Sequence, residues 1–341
     1  MVREAVYKIT ENFPCNCAFC DSREKYLNIL KKQELDLNNW KKITDKLLAD
    51  GLEVAVLSGG EPLLRPNVTF PLVDYLHANN IYVVLNSSGI LFEHNDNLFN
   101  ELFKHFPDLL VFSVDSISSE KHDLNRAMKG TFHSVVNSIK KIKEHGNFYV
   151  GIRTVITRNN YREIPDIISY FSRLGVDCIK LTNIENDMEK RFILTKNELD
   201  EFNNEVKPKI YEVLRKCDYE TEEMLEDNIL KISKLLSNTN PDYLSIANGI
   251  FSPNLVGNAK CDLNGRFFAI QSNGDVLPCC EAEHHYEPLL GNILKDDVED
   301  IYKSSEYITF SNNRPKYCKT CTQRHNLQLN FKSSARKVER R

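Results

Sequence analysis

Hydrophobic and polar positions along the first 185 residues predict repeated strand–helix units. Short β-branched and apolar runs occur at 5–10, 53–58, 81–86, 109–114, 148–155 and 177–182. Between them lie segments with helical apolar spacing, clearest at 38–49, 132–145 and 162–174. Strands that alternate with helices form parallel sheets. The pattern predicts an α/β fold of six units, and both an incomplete barrel and an open sheet fit it.

Turn residues and changes in composition divide the chain further. Gly51, Gly146 and Gly175 follow predicted helices, where a C-cap calls for positive φ. Residues 186–240 read as a helical linker that begins with a capping box, Thr195 to Glu198, and is interrupted at Pro208. We therefore expect a core at 1–185, a linker at 186–240, a small cysteine-rich domain at 241–325 and a basic tail at 326–341.

Composition indicates a folded protein in a reducing compartment. The 341 residues are 41% hydrophobic and carry a net charge of −4, so a sizeable core is expected and nucleic acid is not an obligatory partner. No apolar run approaches the roughly 18 residues of a membrane helix, and the N-terminus lacks a signal-peptide pattern. We expect a cytoplasmic protein, in which ten cysteines indicate metal binding or catalysis rather than disulfides.

Three of these cysteines form a compact group directly after the first predicted strand. Cys15, Cys17 and Cys20 lie within six residues, at the strand end where α/β barrels place their sites. Three thiolates can grip one inorganic centre and leave one coordination position open. The alternative is a zinc site completed by a distant fourth cysteine.

A second motif follows the second predicted strand. Ser58-Gly59-Gly60-Glu61-Pro62 predicts a sharp backbone exit, in which the glycines permit close approach and the carboxylate can accept hydrogen bonds from a cationic amine. Alone, this motif is also compatible with an ordinary strand–helix turn.

Together the two motifs resemble the radical S-adenosylmethionine (radical SAM) superfamily. The resemblance implies a partial (βα)6 barrel in which Cys15, Cys17 and Cys20 bind a [4Fe–4S] cluster that chelates S-adenosylmethionine. It implies that reductive cleavage yields a 5′-deoxyadenosyl radical. The implied S-adenosylmethionine contacts are Phe19 beside the adenine, Gly59, Gly60 and Glu61 at the methionine amine, Ser113 near the ribose, and Arg153 at the carboxylate or substrate.

The cysteine spacing departs from the usual family pattern. The superfamily commonly shows Cys-x3-Cys-x2-Cys, whereas this chain has Cys-x-Cys-x2-Cys, with Phe13 where the first cysteine would fall. A degenerate member that has lost cleavage activity is therefore one hypothesis.

A second set of cysteines lies in the C-terminal part. Cys261, Cys279, Cys318 and Cys321 could close one full site for zinc or for an iron–sulfur cluster. Beside a radical SAM barrel, the pattern is similar to SPASM and twitch domains, which implies one auxiliary [4Fe–4S] cluster and leaves Cys280 as a spare thiol. Glu281, Glu283 and His284 are candidate proton acceptors there, and the alternative is an exposed polar loop.

The sequence thus predicts a radical SAM oxidoreductase with two [4Fe–4S] clusters. We expect hydrogen abstraction and a net two-electron oxidation of a small polar molecule, such as a sugar or an aminocyclitol. The alternatives are a maturase that oxidises or crosslinks a peptide or protein side chain, and a zinc-stabilised binding module without redox activity. A flavodoxin- or ferredoxin-type electron donor is the implied protein partner.

Overall fold

The computed structural model describes residues 1–20, 34–93, 95–146, 148–183, 191–219, 221–234, 265–313 and 327–330. Three of the predicted cluster ligands, Cys261, Cys318 and Cys321, lie outside these residues. The chain forms two compact units: the first comprises Met1–Asn16, Cys20–Leu110 and Lys260–Pro315, and the second comprises Cys17–Phe19, Val111–Ala259 and Lys316–Arg341. The sequence-based division at 185, 240 and 325 stays a prediction.

The first unit is an α/β fold whose sheet contains β1 between β2 and β7, although β7 comes more than 200 residues later in the chain. Parallel pairing joins β3, β2, β1 and β7, and β8 and β9 extend the sheet antiparallel beyond β7. Its elements are β1 (Glu4–Thr10), α1 (Leu37–Asp50), β2 (Val54–Gly59), α2 (Pro66–Ala78), β3 (Tyr82–Ser87), α3 (Asp96–Lys104), β7 (Phe267–Ile270), β8 (Asp275–Leu277), α10 (Cys280–His285), β9 (Gly291–Asn292), α11 (Val298–Lys303) and α12 (Ser305–Asn312). Short 3₁₀ turns occupy Pro62–Leu64 and Ile90–Phe92.

The second unit continues the strand–helix alternation. Its strand order is β10-β6-β5-β4, with β5 and β6 parallel and β10 antiparallel to β6. Its elements are β4 (Leu109–Ser113, from Val111 onward), α4 (Ser119–Arg126), α5 (Thr131–His145), β5 (Tyr149–Ile156), α6 (Ile164–Arg173), β6 (Cys178–Asn183), α7 (Lys196–Glu201), α8 (Lys207–Leu214), α9 (Glu222–Lys234) and β10 (Leu327–Asn330). A 3₁₀ turn, Tyr161–Glu163, precedes α6.

All six predicted strands are confirmed, each within one residue at either end. The first helix shows why the pattern was readable. Asp36 accepts from the Asn39 amide at the start of α1, and Gly51 ends the helix at φ 106°. Trp40 is fully buried and stacks on Tyr7 of β1 with ring centroids 5.1 Å apart. The apolar residues that recur at helical spacing therefore lie on one face of α1, and this face packs against the sheet.

Two local predictions are wrong in detail. Gly146 ends α5 with φ −87° rather than a positive φ, and glycine is needed there because a Cβ would lie 2.5 Å from the Ile142 carbonyl oxygen. Pro208 does not interrupt the linker helix. It lies in the first turn of α8, which follows the π-helical segment Phe202–Val206. Proline is tolerated at such a position because it breaks no interior hydrogen bond.

One further local prediction is confirmed. The Thr195–Glu198 capping box forms as predicted at the start of α7. No helix among the described residues is long and apolar enough to cross a membrane.

Candidate functional site

The loop that follows β1 carries the first cysteine group, and Thr10 organises its beginning. The Thr10 hydroxyl donates to Glu34 Oε1 over 2.7 Å and accepts from the Asn12 amide over 3.1 Å. Cys15 is buried at 8% exposure, Cys17 is half-buried and Cys20 is exposed. Hydrogen bonds thus fix the start of the loop, and the solvent exposure of its three thiols increases from Cys15 to Cys20.

The loop after β2 packs against this first loop through glycine. The amides of Gly60 and Glu61 donate to the carbonyls of Thr10 and Asn12 over 2.7 and 2.8 Å. A Cβ on Gly60 would lie 1.9 Å from the Asn12 oxygen, and one on Gly59 would lie 2.4 Å from the Thr10 oxygen. The glycines thus hold the two loops together, a role that adds to the predicted approach of a ligand.

Glu61 connects the exit of β2 to the exit of β3. The residue is 1% exposed, and its Oε2 accepts from the Ser88 amide at 2.8 Å, the Ser88 hydroxyl at 2.7 Å and the Ser87 hydroxyl at 3.2 Å. Burial raises the pKa of this carboxyl, and the hydrogen bonds from Ser88 and Ser87 oppose the shift. The side chain therefore holds the third strand's loop in place.

In the second unit, the middle of the cysteine loop is held by α4. The Ala18 amide donates to the Asn125 carbonyl over 2.9 Å. The Arg126 guanidinium donates to Cys17 Sγ over 3.6 Å and lies 5.6 Å from the Phe19 ring centre. Phe19 also meets Phe192 edge-on, with centroids 6.3 Å apart. The residue predicted to lie beside adenine is thus bordered by an aromatic ring and a cation.

Asp115, just beyond β4, anchors the same arginine. Its Oδ1 accepts from Arg126 Nη2 over 2.7 Å, and the carboxylate is fully buried. Burial raises the Asp115 pKa, while the guanidinium opposes that shift. His122 is also fully buried, and its Nδ1 accepts from the Asp115 amide over 3.2 Å. Burial and then the Arg126 charge lower the His122 pKa to about 3, so the ring is neutral.

The remaining predicted contacts of S-adenosylmethionine lie on strands of the second unit. Ser113 is the last residue of β4, and Arg153 lies within β5; both are half-buried. The Val114 amide donates to the Arg153 carbonyl over 2.9 Å, so the two strands bring these residues to the same level.

In the first unit, Cys279 and Cys280 have different surroundings. Cys279 is buried, and its Sγ accepts from the Ala282 amide over 3.4 Å at the start of α10. Cys280 is half-buried. Of the candidate proton acceptors, Glu283 pairs with Lys8 over 3.2 Å. Glu281 and His284 lie on α10, and their side chains are outside the described residues.

Sequence reasoning missed Asp115 as the anchor of Arg126, and it did not single out Lys8, Glu11 or Gln271. A lysine within a strand of otherwise apolar inward positions was the available signal for Lys8, which is 5% exposed. Within the described residues, no three or more His, Cys, Asp and Glu side chains are arranged around one metal ion.

Comparison with known families yields two matches. The Radical SAM superfamily matches residues 13–171, and the SPASM family, described as an iron–sulfur cluster-binding domain, matches residues 261–322. The two matched segments contain all seven predicted cluster cysteines.

Curated relatives that match most of the chain include two at 25% identity. The AdoMet-dependent heme synthase of Methanosarcina barkeri is 25% identical over 89% of this chain and 83% of its own length. The antilisterial bacteriocin subtilosin biosynthesis protein AlbA of Bacillus subtilis is 25% identical over 89% of this chain, which spans 60% of AlbA.

Solved structures share the fold. Streptococcus suis SuiB bound to its precursor peptide SuiA matches 94% of this chain and 71% of SuiB, with a TM-score of 0.64 at 16% identity. The enzyme anSMEcpe with bound AdoMet matches 95% of this chain and 84% of its own, also with a TM-score of 0.64, at 18% identity. The predicted α/β partial-barrel class with a small C-terminal cluster domain is thereby confirmed.

The donor set suits the implied cofactors. Cysteine sulfurs are the usual ligands of iron–sulfur clusters, and hydrogen bonds to those sulfurs are part of such sites. One such hydrogen bond is present in each cysteine region: Arg126 donates to Cys17, and the Ala282 amide donates to Cys279. Cysteine sulfurs with a hydrogen-bond donor are thus present at each end of the chain, but the described residues, Cys15, Cys17 and Cys20 among them, do not bring three such ligands together around one metal position.

Proposed function

Because this chain belongs to the radical SAM superfamily and carries a C-terminal SPASM domain, we propose that it is a maturase that modifies a precursor peptide. Its cofactors are S-adenosylmethionine and two [4Fe–4S] clusters. When bound, they supply a 5′-deoxyadenosyl radical that abstracts hydrogen from the substrate.

We assign the cofactor ligands from the motifs. Cys15, Cys17 and Cys20 hold the first cluster, and the second is held by Cys261, Cys279, Cys318 and Cys321. The S-adenosylmethionine contacts are Phe19, Gly59, Gly60, Glu61, Ser113 and Arg153. The chain's own contribution is to fix the loops: Gly60 and Glu61 bind the first loop, and Arg126 holds Cys17.

The observation that carries the peptide assignment is the similarity to AlbA along 89% of the chain. Shorter matches to the sporulation killing factor maturation protein SkfB and to PqqA peptide cyclase point the same way. The sequence-based preference for a sugar or an aminocyclitol has no support among these relatives. The zinc-stabilised binding module also lacks support, because the C-terminal match is to an iron–sulfur domain.

A tetrapyrrole is the second candidate, since the heme synthase matches the chain equally well. Charge favours the peptide. Tetrapyrrole propionates need cationic partners, whereas the buried Lys8 already faces the carboxylates of Glu11 and Glu283. In either case we propose a flavodoxin- or ferredoxin-type electron donor and a net oxidation, in which Glu281, Glu283 or His284 accepts the released proton.

The test uses anaerobically purified protein with both clusters loaded. With dithionite and S-adenosylmethionine we expect 5′-deoxyadenosine. With the correct substrate we expect the product to be lighter than the substrate by two hydrogen atoms, one abstracted by the radical and one lost as a proton and an electron. The substrate arms are synthetic peptides encoded by short reading frames beside the gene, iron-coproporphyrin III, and a sugar panel.

Modification of a peptide supports the maturase, and conversion of the porphyrin overturns it in favour of heme chemistry. Absence of 5′-deoxyadenosine would instead identify a degenerate family member. A Cys15→Ala, Cys17→Ala, Cys20→Ala triple variant is the matched negative control.

A further inference from the structure

A buried charged cluster surrounds Lys8 at the carboxyl end of β1. Lys8 Nζ lies 3.2 Å from Glu283 Oε2 and 3.9 Å from Glu11 Oε2. Lys8 and Glu11 are 5% and 2% exposed. Among the described residues, one ammonium thus faces two carboxylates. Burial of charge at such a density is costly unless further partners compensate it.

Gln271 directly follows β7. The parallel register of β1 and β7 ends with the pair Tyr7 and Ile270, so Lys8 and Gln271 are the residues that come next along the chain on the two sides. Continuing this register by one residue places Gln271 next to Lys8. Gln271 is 0% exposed, and within the described residues neither its Oε1 nor its Nε2 has a hydrogen-bond partner.

The carboxylates of Glu11 and Glu283 also have buried oxygens without hydrogen-bond partners among the described residues. These are both oxygens of Glu11 and the Oε1 of Glu283. Each such buried polar group costs stability, and native proteins satisfy nearly all of them. A set of unmet acceptors and one unmet carboxamide at a single place is therefore a feature of a ligand site.

The chemistry of these groups defines the ligand. A carboxamide carries donors and an acceptor, which complement the C=O and N–H of a peptide unit. Carboxylates with open lone pairs accept from an ammonium or a guanidinium. Of the described charged residues nearby, Glu34 pairs with Arg65, and Asp275 accepts from the Tyr286 hydroxyl. The cluster meets solvent at Glu283, whose side chain is 13% exposed.

We propose that Glu11, Gln271 and Glu283, gathered around Lys8, form a recognition site for a cationic side chain and the adjoining peptide unit of the substrate. This inference rests on the proposed peptide maturase function and names the substrate feature that the enzyme reads. The role assigned to this site is recognition of the substrate.

The experiment measures binding of two capped tripeptides to the anaerobic holoenzyme by saturation-transfer NMR. The probes are acetyl-Gly-Lys-Gly-amide and its norleucine isostere, which differ only in the charged end group. We expect the lysine probe to bind about tenfold tighter, which is the scale of one charge-assisted hydrogen bond. Glu11→Gln should abolish this preference and leave norleucine binding unchanged. Gln271→Met should weaken both probes, because it removes the carboxamide.

The controls separate recognition from a structural role. Glu299→Gln makes the same chemical change on an exposed helix residue and should behave as wild type. Gln271→Met should keep or raise the melting temperature, since it replaces an unpartnered amide by an apolar isostere. Equal binding of the two probes, or a Gln271→Met protein that melts lower and still binds both probes normally, overturns the proposal in favour of a water-filled structural cluster.

Formation of 5′-deoxyadenosine from dithionite and S-adenosylmethionine, measured in the same variants without peptide, should stay at the wild-type rate. Its loss in the wild-type protein would count against the maturase function itself, whereas a lost lysine preference with intact cleavage counts against this recognition site alone.

Discussion

The Arg126 guanidinium donates a hydrogen bond to the Sγ of Cys17 over 3.6 Å, and the two residues lie 109 positions apart in the chain. The same guanidinium also donates from its Nη2 to Oδ1 of the buried Asp115 over 2.7 Å. A carboxylate therefore orients the cation, and the cation orients the sulfur. Because hydrogen bonds to cysteine sulfurs help to set the potential of an iron–sulfur cluster, we expect Arg126 to tune the cluster that we assign to this loop.

Substitution of Arg126 should lower the reduction potential of the N-terminal cluster. Arg126→Lys keeps the charge beside Asp115 but cannot serve Asp115 and Cys17 together. Loss of the N–H···S bond destabilises the reduced, more electron-rich state, so we expect a shift of about 60 mV to more negative values for a tenfold effect. The measurement is an EPR-monitored redox titration.

The matched control for this titration is Arg162→Lys, whose guanidinium is 60% exposed and pairs with Glu201. It should leave the potential unchanged. An Arg126→Lys protein with full iron content and a wild-type potential would contradict the assigned role.

Replacement of Gly60 by alanine should separate the two loops that meet there. A Cβ at this position would lie 1.9 Å from the Asn12 oxygen, so the Asn12 backbone has to move. Overpacking of this kind costs about 2–3 kcal/mol, and the cysteine loop would move with it. We expect lower iron content and weaker binding of S-adenosylmethionine.

Gly130→Ala is the control for Gly60→Ala. Gly130 has a positive φ of 90°, which Gly60 does not, but no atom of the described residues lies within 4 Å of the place that the Cβ of residue 130 would take. Strain of about 1–2 kcal/mol is expected there without loss of iron or cofactor affinity. Equal effects of the two substitutions on cofactor binding would show that the contact between Gly60 and the Asn12 backbone is not responsible.

Acidification should destabilise the protein through His122. Its pKa is lowered to about 3 in the folded state by burial and by the Arg126 charge, while the unfolded chain titrates near 6.5. Below about 6.5 the unfolded state binds a proton that the folded state does not, so stability falls as the pH drops toward 3. Between pH 7 and pH 5 the loss is about 2 kcal/mol.

Denaturant unfolding at the two pH values checks this. His122→Asn retains an oxygen that can accept from the Asp115 amide, and it should remove most of this pH dependence. His145→Asn, at a side chain that is 64% exposed, should retain it. Identical pH dependence in wild type and His122→Asn would refute the assignment.

Iron content should distinguish cluster cysteines from packing cysteines. The triple alanine variant at Cys15, Cys17 and Cys20 should hold about half the wild-type iron, because one of two four-iron clusters is lost. Cys178→Ala is the control: that thiol is buried on β6, and burial raises its pKa to about 12, so it has no ligand character. Iron analysis after anaerobic purification gives the comparison, and full iron in the triple variant would place the cluster elsewhere.

The local elements were predictable because their causes are local. Strands β1 to β6 and helix α1 follow from apolar periods of 2.0 and 3.6 and from cap residues such as Asp36 and Gly51. The Cys15–Cys20 and Gly59–Glu61 motifs were readable for the same reason, since each lies within a few residues at the end of a strand. Gly146 shows the limit, because the steric contact with Ile142 rather than a left-handed turn selects glycine there.

By itself, then, the sequence determined the strand–helix order, the family motifs and the cofactor chemistry, all of which are encoded in short stretches. Tertiary structure alone decided that Lys8 pairs with Glu283, that Glu61 accepts from Ser88, and that Arg126 reaches Cys17. These pairs depend on strand register and helix packing between distant segments. Such pairings are fixed by the summed burial of many side chains, and no local pattern in the chain specifies them.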